Sequence, residues 1–202
     1  MKAATLATAA LFGVAATAVD AARVDVQVQD AAGQPLAGAV AYVESAAARA
    51  AAKPLVGAEV AQVDKQFTPR VSVVTTGSLV SFPNRDKVRH HVFSFSKAKP
   101  FEIKLYTGTP ANPLLFDKPG IVVLGCNIHD TMVGWVLVLD TPWSAQTNAL
   151  GQARLPDVPA GTHRLLVWHP DLPPGAPPLE QPLVLAGDAA VVVRLAGVAG
   201  AR

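Results

Sequence analysis

Apolar and polar positions alternate along much of the chain with a period of two, the spacing of strands that bury one face. Val24, Val26 and Val28 stand between polar residues before a turn over residues 30–33, and Pro35 and Gly38 precede a second apolar run over 39–43. Residues 45–54, SAAARAAAKP, form an alanine-rich stretch that suits a helical turn or a linker. Strands are predicted over 70–74 and 78–82, joined by a Thr-Thr-Gly turn, and over 90–95, followed by a long polar and proline-containing loop. Strands over 121–126 and 133–139 flank the compact sequence CNIHDTM. Beyond Asp140 come turns at 148–151 and 157–161, a strand over 164–168, an irregular proline-rich stretch over 170–182, and two Val/Leu-rich strands around Gly187. Turn signals recur every 8 to 12 residues or so without a repeat of fixed period, so the pattern predicts an all-β chain built as a sandwich or a pair of sandwiches.

Composition narrows this. The 202 residues are long enough for one large or two small cores. Half are hydrophobic and 16% are charged, which excludes a disordered chain. Seventeen basic residues face fifteen acidic ones with no basic run, so nucleic acid is not an expected partner. The first residues, MKAATLATAALFGVAATAVDAA, have a positive start at Lys2, an apolar stretch over 3–18 and small residues at 19–21. They read as a secretory signal covering 1–21, since so much Ala and Thr is weakly apolar for a membrane anchor. No later segment is apolar enough to span a membrane, so no integral span is expected after cleavage.

Export sharpens the meaning of the sulfur residues. Cys126 is the only cysteine and Met132 the only methionine after Met1. Taken singly, each suits a core filler. Together they form C-x2-H-x2-M with His129 midway, on a short loop between two Val/Leu-rich strands. A thiolate, an imidazole and a thioether can close on one ion if a fourth ligand comes from elsewhere, and two His with one Cys and a weak axial Met is the donor set of blue copper. Zinc could use the same thiolate and imidazoles, but Met is a poor zinc ligand. Cysteine nucleophilic catalysis lacks a third group to orient the histidine. The second histidine should come from the strand at 90–95, which offers His90 and His91 on opposite faces. Phe93 and Phe95 share a face with His91, which would turn His91 inward if those rings are core. His163 and His169, beside Arg164 and Trp168, read as surface or strand-end residues, and Trp135 as core or an electron outlet. Asp86, Lys87, Arg89 and Asp130 read as a solvated rim that could steer a charged partner.

Residues 82–92, FPNRDKVRHHV, resemble the stretch of plastocyanins and amicyanins in which an aromatic strand end, an Asn and an acidic turn lead to a ligand histidine. Counting without gaps from Phe82 and Asn84 places that ligand on His90, with His91 where the family carries Asn. Residues 65–84 and 119–138 resemble the family's entry strands and its Pro-Gly, strand, Cys-loop-His-loop-Met and final strand. The short loop is closest to that of amicyanin. The resemblance covers roughly residues 60–140 and departs at Gly125, where an aromatic is usual, and at Ile128, where many members have Pro. It implies a Greek-key cupredoxin β-sandwich holding one type 1 copper ion through His90, Cys126, His129 and Met132, with His129 the expected electron outlet. Residues 24–44 and 147–170 resemble the opening and later parts of the carboxypeptidase regulatory-like (transthyretin-like) sandwich.

Together these resemblances imply a signal over 1–21, first regulatory-like strands over 22–45, a cupredoxin domain over 55–140, and the rest of the regulatory-like sandwich over 141–202. The implied function is that of an exported, periplasmic protein that carries single electrons between redox partners, such as a cytochrome or a periplasmic dehydrogenase, and is not itself an enzyme. The alternative is a copper carrier or an interaction module whose metal never cycles.

Overall fold

In the computed structural model, residues 21–198 are described, so the predicted signal lies outside them except for Ala21, which opens the first strand. Within that span the chain is all-β: four sheets and a two-stranded ribbon, with one short helix. The helix, Ala46–Ala51, occupies the alanine-rich stretch, and its start is set by Ser45, whose hydroxyl accepts from the Ala48 amide. No helix among the described residues is long and apolar enough to cross a membrane.

Two of the sheets come from the ends of the chain. Ala21–Asp30 lies between Gln152–Pro159 and Ala189–Leu195, antiparallel to the first and parallel to the second. Facing it is an antiparallel sheet in the order Ser144–Gln146, Val40–Glu44, Gly161–Trp168, Leu179–Leu185. Val24, Val26 and Val28 enter the core between them with Ala41, Val43, Leu165 and Val167, as the period of two requires.

The chain between these ends builds the other pair. A five-stranded sheet runs Val71–Thr75, Val133–Leu139, Gly120–Gly125, His90–Ser94, Phe101–Tyr106. Opposite lie Leu114–Phe116, Ser78–Ser81 and Ala58–Glu59, and the ribbon of Ala61–Val63 with Gln66–Thr68 closes one side. Phe82, Phe116, Val122, Leu124, Val136 and Val138 fill this second core.

A third apolar cluster joins the pairs. Val40, Tyr42, Leu166 and Trp168, on the outer face of the four-stranded sheet, pack against Val71, Leu137 and Leu139 on the outer face of the five-stranded one. Three strands are therefore buried on both faces, which is why 40–43, 165–168 and 136–139 read as unbroken apolar runs instead of alternating ones.

Several strands were not evident from the pattern. The long loop predicted after residue 95 contains Phe101–Tyr106, where Phe101 and Ile103 pack on the core while Glu102 and Lys104 point out. It also contains Leu114–Phe116. Neighbouring prolines and exposed polar residues hide such short alternations. The turn predicted at 157–161 is a β-bulge followed by a one-residue link. Pairing of Gln152–Pro159 with Ala21–Asp30 shifts register between Ala22 and Val24, and Asp157 in that stretch has a left-handed φ of 56°. The chain then crosses to Gly161–Trp168 of the facing sheet after one residue. The proline-rich stretch ends earlier than predicted, because pairing with Gly161–Trp168 recruits Leu179–Leu185.

Leu137 is fully buried in the joining cluster. Replacing it with Ala is expected to lower the unfolding free energy by about 2–5 kcal/mol, whereas Val184→Ala, at an exposed position, should change it by less than about 0.5 kcal/mol. Chemical denaturation followed by tryptophan fluorescence measures both.

Candidate metal centre

The sequence CNIHDTM is a tight hairpin connection. Gly125 pairs with Val133 on the adjacent antiparallel strand, so Cys126 and Met132 begin and end the loop side by side. The Met132 amide donates to the His129 carbonyl at 2.9 Å and the Val133 amide to the Thr131 carbonyl at 3.1 Å, which folds the loop back on itself. Cys126 and Met132 are both buried in the second core, and His129 is half-buried with its Nδ1 fully enclosed and without a hydrogen-bond partner.

The second histidine arrives from the strand His90–Ser94. His90, Val92 and Ser94 point inward and are all buried. His90 has no exposed surface, and its Nδ1 lies 3.9 Å from Cys126 Sγ. The rings of His90 and His129 are 5.2 Å apart between centroids. One donor atom from each of His90, Cys126 and His129 falls within 4.8 Å of the other two. Donors about 2.0–2.3 Å from a common ion sit roughly 3.5–4 Å from one another, so this spacing needs little contraction to close on a metal.

His91 faces the other way. The condition that would have turned it inward fails, since Phe95 is 87% exposed and Phe93 lies on the outer face of the sheet. There the Phe93 ring covers Gly125: a Cβ at residue 125 would come within 2.7 Å of the ring edge. Phe93, from the neighbouring strand, thus fills the space over residue 125, and only glycine leaves room for it.

Asp86 is more than the solvated rim residue expected from the sequence. Its side chain is 13% exposed, and its Oδ2 accepts from His90 Nε2 at 2.7 Å. The amides of Asp64 and Lys65 also donate to it, at 2.7 and 2.9 Å. These two residues form the two-residue turn of the ribbon, with φ of 52° and 58°, which aims consecutive amides at one carboxylate. Burial pushes the Asp86 carboxyl up, but the Lys65 amide, the His90 ring and the Asp64 amide together outweigh it and hold the pKa below its ordinary value. The ionised carboxylate fixes the hydrogen of His90 on Nε2 and leaves the Nδ1 lone pair facing Cys126, the arrangement by which a carboxylate orients a metal-binding imidazole. Asn84 holds this loop to the sheet. Its Nδ2 donates to the Val88 and Tyr106 carbonyls and its Oδ1 accepts from the Asp86 amide.

Tyr106 completes the inner wall. Its hydroxyl is shared between Gln62 Oε1 and the Phe82 carbonyl, at 2.8 and 2.6 Å. Burial, opposed by the Gln62 hydrogen bond and reinforced by the nearby Cys126, pushes its pKa up to about 12. No spacing rule singles out Asp86, Tyr106 or Gln62, because they converge only in three dimensions.

The remaining polar residues take no part in the cluster. Lys87, Arg89 and Asp130 are exposed. His163 and His169 belong to the other sheet pair and are buried, not surface residues, with Nε2 donating to the Pro159 and Ala37 carbonyls. Trp135 lies at the junction of the sandwiches, 6.2 Å from Trp168 and beneath Arg70.

No protein-family model matches the chain, and no curated protein matches it. Parts of solved structures do resemble it. A purple cupredoxin from Nitrosopumilus maritimus is 20% identical, with 41% of this chain aligned to 99% of that one at a TM-score of 0.36. An oxidised variant of amicyanin is 20% identical, with 49% of this chain aligned to 98% of that one at 0.38. A copper-containing nitrite reductase from Thermus scotoductus SA-01 is 26% identical over 43% of this chain, at 0.38. The match spans 25% of that reductase chain.

The donor set fits a soft or borderline ion: one thiol, two imidazoles, and a thioether buried in the same core, with no carboxylate in the cluster. The crowding at Gly125 yields a structural prediction. Gly125→Val should destabilise the fold by about 1–3 kcal/mol through overpacking, and Phe93→Ala in the same chain should recover part of the loss. Denaturant midpoints of the single and double variants test the coupling.

Proposed function

We propose that this chain binds one copper ion and carries single electrons between redox partners. Support comes above all from one observation: the only thiol in the chain and the two imidazoles of His90 and His129 offer donor atoms within 4.8 Å of one another, in a largely buried setting. His90 and His129 would hold the ion through Nδ1, Cys126 through its thiolate, and Met132 would lie as the weak fourth donor. Copper supplies the chemistry, a reversible one-electron change between Cu(II) and Cu(I), and the thiolate–imidazole–thioether set accommodates both states.

The protein's part is orientation and shielding. Asp86 locks the His90 ring, the hairpin of residues 126–132 fixes three donors on one short connection, and the second core excludes water from the thiol side. Rigid placement keeps rearrangement small when the charge changes. With Met132 as the proposed fourth donor beside His90, Cys126 and His129, protein side chains would fill the coordination of the ion and leave no position for a substrate, so the reading is a carrier and not an enzyme. The secretory pattern of residues 1–21 supports export to the periplasm, where a cytochrome or a periplasmic dehydrogenase is a suitable partner. The regulatory-like stretches at 24–44 and 147–170 would then serve as the scaffold into which the copper-binding part is inserted.

Purified protein given one equivalent of Cu(II) should turn intensely blue and bleach reversibly with ascorbate. Cys126→Ser and His90→Ala should abolish the colour, while His91→Ala should keep it. A colourless product would overturn the reading, and colour that never bleaches would convert it to a copper carrier.

A further inference from the structure

On the outer face of the five-stranded sheet, directly behind the donor cluster, lies a groove that the proposed electron carrier does not use. Phe93 and Phe95 line it with an edge of Phe101, whose ring packs on the second core, His91 and Glu102 form a polar end, and Asn127 stands at its rim. It is an open groove of about 650 Å³, inside the range of roughly 300–1,000 Å³ usual for small-molecule sites. Its aromatic side is costly to leave in water: Phe95 is 87% exposed, with its ring 5.1 Å from that of Phe93 and tilted by 45°. The polar end is under-used as well. His91 is 6% exposed, and its Nε2 has no hydrogen-bond partner, lying 3.0 Å from Glu102 Oε1 but out of line for a bond. The Glu102 side chain is 53% exposed and accessible from the groove.

These features select a ligand. The rings favour a flat aromatic body, while a carboxylate beside a buried imidazole asks for a group that donates a hydrogen bond. A cation would meet Glu102 too, but Lys104 stands two residues along the same strand, on the same face, with no acidic partner among the described residues. A neutral donor avoids that repulsion. We propose that the groove binds a small hydroxylated aromatic compound, its ring against Phe93 and Phe95 and its hydroxyl donating to Glu102. One peptide bond separates His91 from His90, and another separates Asn127 from Cys126, so the bound ring lies immediately behind two of the residues assigned to copper. Only this last link rests on the copper reading; the binding itself does not.

The test uses the metal-free chain, labelled with 15N and titrated with hydroquinone. Saturable amide shifts confined to His91, Phe93, Phe95, Glu102 and Asn127 are expected. Phe95→Ala and Glu102→Gln should each weaken binding about tenfold, the scale of one lost ring contact or one charge-assisted hydrogen bond, with the rest of the spectrum unchanged. Cyclohexane-1,4-diol, which has the hydroxyls without the aromatic ring, should produce no saturable shift. Scattered or unsaturable shifts, an equal response to the cyclohexane diol, tighter binding of benzylammonium, or unchanged affinity in both variants would each overturn the inference. Cu(II) absorbance, measured on separate samples free of hydroquinone because hydroquinone would reduce Cu(II) and bleach it, separates the two readings. Blue protein without hydroquinone binding sinks only the groove, and hydroquinone binding by a protein that stays colourless sinks only the copper assignment.

Discussion

The strand Val133–Leu139 is the member on which the rest of the structure depends. Its residues alternate between two cores: Val136 and Val138 face the donor cluster's sandwich, and Leu137 and Leu139 face the other sandwich. Burial at roughly 25 cal/mol per Å² on both sides makes its register costly to change. Because the strand starts one residue after Met132 and pairs Val133 with Gly125, that register also sets where Cys126 and His129 stand. The other sandwich, built from the two ends of the chain, acts on the site through this strand, with no residue of its own in the cluster.

A different kind of constraint governs His90. Its ring is enclosed, and an enclosed imidazole must satisfy its N–H or lose the cost of desolvation, about 1–3 kcal/mol. Asp86 meets that need, and the carboxylate is in turn held by two amides from a left-handed turn and by the loop that Asn84 pins to Phe101–Tyr106. The network converts a histidine at the start of a strand into one with a defined free nitrogen. It is built from a loop, a ribbon turn and a strand, so it resists loss of any single hydrogen bond better than an isolated pair would.

The same alternation that turns His90 inward turns His91 outward, and this divides the sheet into two chemically different sides. Inside are thiol, imidazole and thioether. Outside are two phenylalanines, Phe93 and Phe95, an imidazole and a carboxylate. Phe93 stays on the outer side, where its ring forms part of the surface and occupies the space over Gly125.

Much of this was legible in the sequence, and for physical reasons. Strand periodicity exposes an all-β chain because side-chain direction follows residue number locally. The grouping of Cys126, His129 and Met132 was legible because all three sit on one short loop, where spacing alone limits separation. The strand pattern left the choice between His90 and His91 open, since it turned on whether Phe93 and Phe95 are core and hydrophobicity does not distinguish a buried ring from one on an exposed sheet face; only the gapless resemblance pointed to His90. Asp86, Tyr106 and Gln62 stayed hidden for a related reason: they come from separate segments, and their roles arise from contacts between loops distant along the chain. What the sequence by itself determined is the set of possible donors and their local order. The tertiary structure alone decided which histidine faces the thiol, which carboxylate orients it, and which aromatic face remains open, because those depend on register and packing between strands and not on the neighbours of each residue.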